Sequence, residues 1–399
     1  MTPFLQLCLA LAILIAAAKT GGYLSYRVGQ PSVLGELLVG ILLGPTLVDL
    51  LHVPLFTDEH LPEVIHEVAE LGVMLLMFLA GLELHIADLA KTGKAAALAG
   101  VLGVVGPFAL GVGAGLLFGM DTSPALFLGL VLSATSVSIS AQTLMELKVL
   151  RSRVGITLLG AAVLDDVLVV LLLSIFTALA LPEGGSGAGS VVLVVLRMAL
   201  YLAGATALGM ALLPRLSRRI SVLPVSQGLV SFTIVTLLLY GWAAEVLGGM
   251  AAITGAFLAG LLLARSPVRE RIEAGMLALA YGLFVPVFFI NVGLLANLRQ
   301  LQGESFWLFV GMTVVAVVGK LVGAGGGGLA AGLSRPEALQ LGIGMMSRGE
   351  VGLIVATVGV SQGLIGPDVF SAVVGVVILT TLLTPPALRW TFRRSQQPV

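Results

Sequence analysis

Long apolar runs alternate along the chain with short interruptions of proline, glycine and charge, and most of the runs reach the ~20 residues that a helix needs to cross a bilayer. Placing boundaries at those interruptions predicts thirteen spanning helices: Pro3–Tyr23, Pro31–Leu51, Glu63–Leu84, Lys94–Met120, Pro124–Glu146, Arg153–Leu181, Ser190–Leu213, Val225–Leu247, Gly249–Ala264, Glu273–Leu295, Glu304–Leu333, Pro336–Val360 and Pro367–Trp390. The ninth is short and the eleventh long, which points to kinks or tilt. The expected fold class is therefore an all-α polytopic membrane protein of about 13 transmembrane helices.

Charge placement supports the count. When loops are assigned alternately to the two sides, 17 of the 21 cations fall on one side, and only Arg299 falls on the other. Arg197, Lys320 and Arg348 lie deeper inside spans. Because cytoplasmic loops retain lysine and arginine, this bias places the N-terminus outside and the C-terminus inside a cell membrane. Six helices return a chain to the side on which it began. An odd seventh helix would therefore insert a second set of six upside down, the inverted-repeat plan of secondary transporters. Pro124 and Pro336 open helices 5 and 12, each followed by a glycine, Gly129 or Gly342, and then a polar interruption.

Composition narrows the functions. Of 399 residues, 58% are hydrophobic and 11% charged, which leaves no room for a soluble catalytic or nucleotide-binding domain. Lysine plus arginine and aspartate plus glutamate each number 21, so no bulk basic surface points to nucleic acid; membrane lipid is the expected surrounding. The lone Cys8 can form no intrachain disulfide. No cation precedes the first apolar run, the reverse of a signal peptide, and we expect it to be retained as a span. His52, His60 and His66 near the acidic stretch 58–70 suggest a metal site less strongly than a solvated loop and helix start.

Ionisable groups at bilayer depth cost roughly 2.5–3.5 kcal/mol each even on insertion scales, so they are the first functional candidates. Helix 6 carries Asp165 and Asp166 at its centre, and helix 11 carries Lys320. Helix 12 carries Ser347, Arg348, Gly349 and Glu350, and helix 5 carries Ser133, Thr135, Ser136, Ser138 and Ser140. Neighbouring residues on a helix diverge by about 100°, so the two aspartates need different partners. One can neutralise Lys320; the other can face a water-filled cavity as both a hard oxygen ligand and a proton acceptor. A cation and a proton would compete there, which is the chemistry of exchange. Helices 5 and 12 are expected to unwind at the midplane, exposing carbonyls to a cation and leaving half-helix ends for Arg348 and Glu350 to compensate. The plainer alternative for helix 5 is that its hydroxyls bond back to their own helix. Gly323, Gly325 and Gly328 fit GxGxxG but follow no strand, so they are read as a helix-packing face, and Leu321 breaks any P-loop.

LGAAVLDDVLVV, GKLVG, SRGEVGLIVA, LLMFLAGLEL and ATSVSISAQTLMEL together resemble the bacterial monovalent cation:proton antiporters, above all the NapA-type Na+/H+ branch, with Kef-type K+/H+ transporters more distant. The similarity runs from about Val33 to Leu388. It implies crossed, discontinuous helices 5 and 12 in a core domain, approximately 63–181 and 273–360 plus the final helix. A dimerisation domain, approximately 1–51 and 225–264, and a linker helix at 190–213 complete the plan, with elevator-type motion of the core and a homodimer. On that pattern Asp166 carries the cation and the proton, Asp165 pairs with Lys320, and Thr135 and Ser136 sit in the crossover, with Ser347, Arg348 and Glu350 as support. Na+ is expected at Asp166, with Asp165 and Thr135 as further ligands. No cofactor is expected; the transported species are H+ and Na+ or Li+, in electrogenic exchange. K+/H+ exchange is the main alternative, ahead of sodium-coupled organic-anion symport. An intramembrane aspartyl protease is disfavoured because its two aspartates must converge on one water, whereas consecutive ones diverge. An open cation channel is disfavoured by the charge of Lys320.

Overall fold

The computed structural model describes residues 1–84, 86–180, 188–295, 299, 304–361 and 363–395; for some helical residues, Glu350 among them, the description covers the backbone alone. Every regular element among the described residues is helical. This follows from the solvent, because hydrocarbon offers backbone groups no partners and a helix satisfies them within one segment. Among the described residues ten helices are long and apolar enough to cross a membrane, and Ser32–Leu43 and Ala252–Leu263 are shorter apolar ones.

In chain order the helices are α1 (Pro3–Arg27), α2 (Ser32–Leu43), α3 (Leu61–Glu83), α4 (Ile86–Leu117), α5 (Thr122–Ser133) and α6 (Val137–Glu146). They continue with α7 (Arg153–Ala180), α8 (Ala188–Ile220), α9 (Gly228–Ala243), α10 (Ala252–Leu263), α11 (Arg269–Leu279) and α12 (Val285–Leu294). The last are α13 (Glu304–Lys320), α14 (Gly326–Ala330), α15 (Arg335–Gly344), α16 (Glu350–Ser361) and α17 (Pro367–Ser395). The second predicted span is cut short: Gly44 turns extended (φ −76°, ψ −174°) ahead of Pro45, whose ring disfavours a helical residue before it, so α2 ends at Leu43. Spans 5 and 12 are each split in two. The long eleventh span is interrupted by a π turn, Leu321–Gly325, that starts immediately after Lys320.

The chain divides into two compact units, one of Met1–Ala69, Gly93–Val169 and Pro286–Val399, the other of Glu70–Thr92 and Val170–Val285. In the first unit α4 meets the π turn and α14 through bare backbone. A Cβ added at Gly323 would lie 2.2 Å from the Leu102 carbonyl oxygen, and one at Gly327 would lie 2.5 Å from that of Leu98. The three glycines of the GxGxxG string therefore serve more than one face: Gly323 meets α4, while Gly325 and Gly328 meet Ala338, Leu333 and Leu341. Replacing Gly323 by alanine is expected to cost about 1–3 kcal/mol, read as a lower melting temperature of the purified protein. An unchanged melting temperature would mean that α4 can retreat freely.

In the second unit α8 is tied to α9 and to the π turn that follows it by polar groups that bond to backbone. The Tyr201 hydroxyl donates to the Tyr240 carbonyl and that of Tyr240 to the Ala205 carbonyl, each at 2.9 Å. Arg197, one of the three cations placed deep in a span, donates to the Leu247 carbonyl at 2.6 Å and also to that of Val246, capping the π turn Ala244–Gly248.

Candidate functional site

The site lies within the first unit, where α7 brings its paired aspartates to the level of Lys320. Lys320 Nζ donates to Asp165 Oδ1 at 2.6 Å, and both side chains are essentially sealed, at 0% and 1% exposed. Burying one such charge alone is strongly unfavourable, so the pair is mutually obligatory. Asp166, one residue on, is only partly buried and within electrostatic reach of Lys320. The α7 helix thus turns one carboxylate fully into protein and leaves its neighbour partly exposed. The second oxygen of Asp165, Oδ2, is buried and has no hydrogen-bond partner among the described residues, and the same is true of the Thr135 hydroxyl.

Thr135 sits where α5 stops and α6 starts. This interruption, residues 134–136, lies directly against the interruption between α15 and α16, residues 345–349. The Ser136 amide donates to the Ser347 carbonyl at 2.9 Å, and the Ser347 hydroxyl donates to the Ser136 carbonyl at 2.5 Å. The Ser140 hydroxyl donates to the Gly344 carbonyl at 2.5 Å. A Cβ added at Gly349 would fall 2.5 Å from that of Ser136, so only glycine permits this approach. The hydroxyls of the fifth span are put to different uses. Ser133 and Thr143 bond back to Leu130 and Ile139 of their own helix segments, whereas Ser140 reaches across to the second break; the Ser136 hydroxyl contacts that of Ser138.

Arg348 is 1% exposed and is spent on carbonyls. Its Nη1 donates to Met345 and Met346 at 3.3 and 3.2 Å, at the C-terminal end of α15, and its Nη2 donates to Ala316 of α13 at 3.0 Å. A cation there offsets the partial negative charge of a half-helix C-terminus. The expectation that unwinding would leave carbonyls of this second break open to a cation is therefore corrected: those of Gly344 through Arg348 all accept protein donors. Glu350 begins α16, but its side chain lies outside the described residues.

Two residues went unnoticed in the sequence. On α17, Thr380 accepts from the Arg348 amide at 3.1 Å and Thr381 donates to the Arg348 carbonyl at 2.6 Å. The available signal was Thr380, Thr381 and Thr384 together in the middle of an apolar span. The histidines near the acidic stretch contact different residues: His52 contacts Asp49, His60 contacts Glu63 and His66 contacts Asn291. Among the described residues no cluster of three or more His, Cys, Asp or Glu could hold a metal ion.

The sequence model of the family described as "Sodium/hydrogen exchanger, transmembrane" matches residues 11–394. The chain is 39% identical to the Na+/H+-K+ antiporter GerN of Bacillus cereus, over 96% of this chain and 95% of that protein. It is 34% identical to a Na+/H+ antiporter of Enterococcus hirae, covering 95% and 96%. It is 33% identical to the high-affinity Na+/H+ antiporter NhaS3 of Synechocystis, covering 98% and 90%. Among solved structures, the sodium proton antiporter MjNhaP1 of Methanocaldococcus jannaschii superposes with a TM-score of 0.71 at 16% identity, over 98% of this chain and 99% of that one, a likeness of fold. With helices fit to cross a membrane, a buried ion pair at mid-span and a sequence match along nearly its whole length, the chain belongs to the transmembrane sodium/hydrogen exchanger family, whose members are secondary cation:proton antiporters and not enzymes.

Proposed function

We propose that the protein exchanges Na+ or Li+ for H+ across the cell membrane, with Asp166 as the shared carrier of cation and proton. The observation that carries this reading is the division of labour on α7: Lys320 occupies the sealed Asp165, and Asp166 stays partly exposed. The unpartnered oxygens of Asp165 and Thr135 are suited to complete an oxygen ligand set for a small hard cation. A sodium ion and a proton then exclude one another at Asp166, and alternate exposure of that residue to the two sides couples their movements.

The finer mechanism follows the same logic. Thirteen crossings result if the two shorter apolar helices and the split α15–α16 pair are added to the ten long ones. That count supports an inverted repeat with an outside N-terminus and a cytoplasmic C-terminus. A core of approximately 63–181, 273–360 and the final helix would move elevator-fashion against a dimerisation domain of 1–51 and 225–264 in a homodimer. On the pattern of the paired-aspartate antiporters this chain resembles, more protons enter than cations leave and exchange is electrogenic.

The test uses purified protein in proteoliposomes with an imposed pH gradient while internal pH is recorded. Na+ and Li+ are expected to collapse the gradient, and the apparent KM for Na+ should rise as pH falls, by up to about tenfold per unit on the acid side of the carboxyl's titration. A pH-independent KM would overturn direct competition. The name of GerN gives K+ exchange a specific footing, so K+ is run in parallel. Collapse by K+ would make this a K+/H+ exchanger, and no collapse by any cation would overturn the proposal.

A further inference from the structure

The two breaks meet, yet they are not equivalent. At the first, the Thr135 hydroxyl is buried without a partner. At the second, five successive carbonyls are already engaged: Gly344 by the Ser140 hydroxyl, Met345 and Met346 by the Arg348 guanidinium, Ser347 by the Ser136 amide and Arg348 by the Thr381 hydroxyl. A carbonyl that accepts a hydrogen bond keeps a second lone pair, but the donor fixes the direction of the C=O, so swinging it toward an ion elsewhere costs that bond. Among the described residues the first break offers an unengaged hydroxyl, whereas at the second the carbonyls from Gly344 to Arg348 are held by protein donors.

The two contacts of that closure least expected from the sequence come from one helix turn of α17. Thr380 Oγ1 accepts the Arg348 amide at 3.1 Å and itself donates to the Val376 carbonyl at 2.8 Å. Thr381 Oγ1 donates to the Arg348 carbonyl at 2.6 Å. All three residues are almost fully buried, with exposures of 0% for Thr380 and 1% for Thr381 and Arg348. Adjacent threonines thus grip both polar groups of a single residue, as a neighbouring strand would. That residue's side chain caps the end of α15 and reaches α13, the helix that carries Lys320, at Ala316. Four residues separate Ala316 from Lys320, about one helix turn.

We propose that Thr380 and Thr381 are positioning residues for cation exchange: they fix the Arg348 peptide so that its carbonyl stays turned to protein rather than to the transported ion, leaving the ion's ligands to the first break and the α7 aspartates. The reading rests on the exchange proposed above. Without the Thr381 hydroxyl the Arg348 carbonyl loses its donor, the peptide is free to rotate, and the guanidinium no longer sits squarely on Met345 and Met346. The ligand set changes while the carrier carboxylate remains, so the effect falls on cation affinity more than on turnover.

The experiment compares wild type, Thr381→Val and Thr381→Ser as full chains in proteoliposomes, measuring KM and kcat for Na+ and for K+. Valine keeps the shape and removes the hydroxyl; serine restores it. For Thr381→Val, the KM for Na+ is expected to change on the order of threefold to tenfold, the scale of one lost buried hydrogen bond, with a smaller change in kcat and an altered Na+-to-K+ ratio. Thr381→Ser should return KM to within about twofold of wild type, the residue of the lost methyl packing. A folded Thr381→Val with wild-type KM and cation ratio overturns the proposal. So does a fall in kcat alone that serine does not rescue, which marks a merely structural contact. If Thr381→Val does not fold, Thr380→Val, which removes the acceptor of the Arg348 amide, decides by the same KM criterion. Wild type failing to exchange any cation defeats the functional reading; wild type exchanging while the threonine variants leave KM untouched defeats only this one.

Discussion

Asp166→Asn is expected to reduce cation-driven proton flux to the level of protein-free vesicles while the purified protein melts near the wild-type temperature. Asparagine keeps the volume of the side chain but brings no negative charge and takes up no proton in the physiological range, so both cargoes lose their carrier at once. Because Asp166 is only partly buried and the Asp165–Lys320 pair stays in place, the cost to folding is expected to be about 1 kcal/mol or less. Internal-pH recording and thermal unfolding separate the two effects. Flux surviving in Asp166→Asn but lost in Asp165→Asn would transfer the carrier role to the neighbour.

The second large effect is on stability. Lys320→Met strands the Asp165 carboxylate in a site 1% exposed, and the expected loss is about 3–5 kcal/mol, the measured scale for breaking a buried ion pair from one side. Adding Asp165→Asn to Lys320→Met should recover most of that loss, because a buried pair replaced on both sides by neutral groups of similar size is often neutral in stability. Thermal unfolding of the two single variants and the double gives the coupling directly. Additive losses would mean that Asp165 and Lys320 are sustained by other partners and that their 2.6 Å contact contributes little.

How much of this was readable from the chain depends on the range of the interaction. The spans were legible because hydrocarbon enforces length and apolarity residue by residue. Asp165, Asp166 and Lys320 were legible because charge at depth demands an explanation wherever it occurs. The broken helices 5 and 12 showed themselves in polar residues crowded at mid-span. The partners inside those breaks were not legible. Ser140 reaches a carbonyl 204 residues away and Ser347 one 211 residues away, distances over which no local pattern operates. The same sequence features suggested open carbonyls at both breaks; at the second, donors from α6 and α17 arrive from elsewhere in the fold to occupy them. Arg348 is instructive in another way. Its position predicted that it would offset a half-helix end, but its contact with Ala316 of α13 requires knowing which helices are neighbours. The glycine string near Lys320 was read as one packing face, and the π turn distributes it over more than one.

That π turn also fixes a reading frame. It holds one residue more than an α turn would, and one residue on a helix is worth about 100° of rotation. Lys320, just before it, is committed to Asp165, while Gly323 within it and Gly327 beyond it are committed to the backbone of α4. Removing a single residue from 321–325 would restore a regular α-helix and swing everything downstream by that angle, so the lysine and the glycine contacts with α4 could not both keep their targets. Substitutions here are judged by size alone, but a change of length is judged by phase, and of the two the helix has far less tolerance for the second.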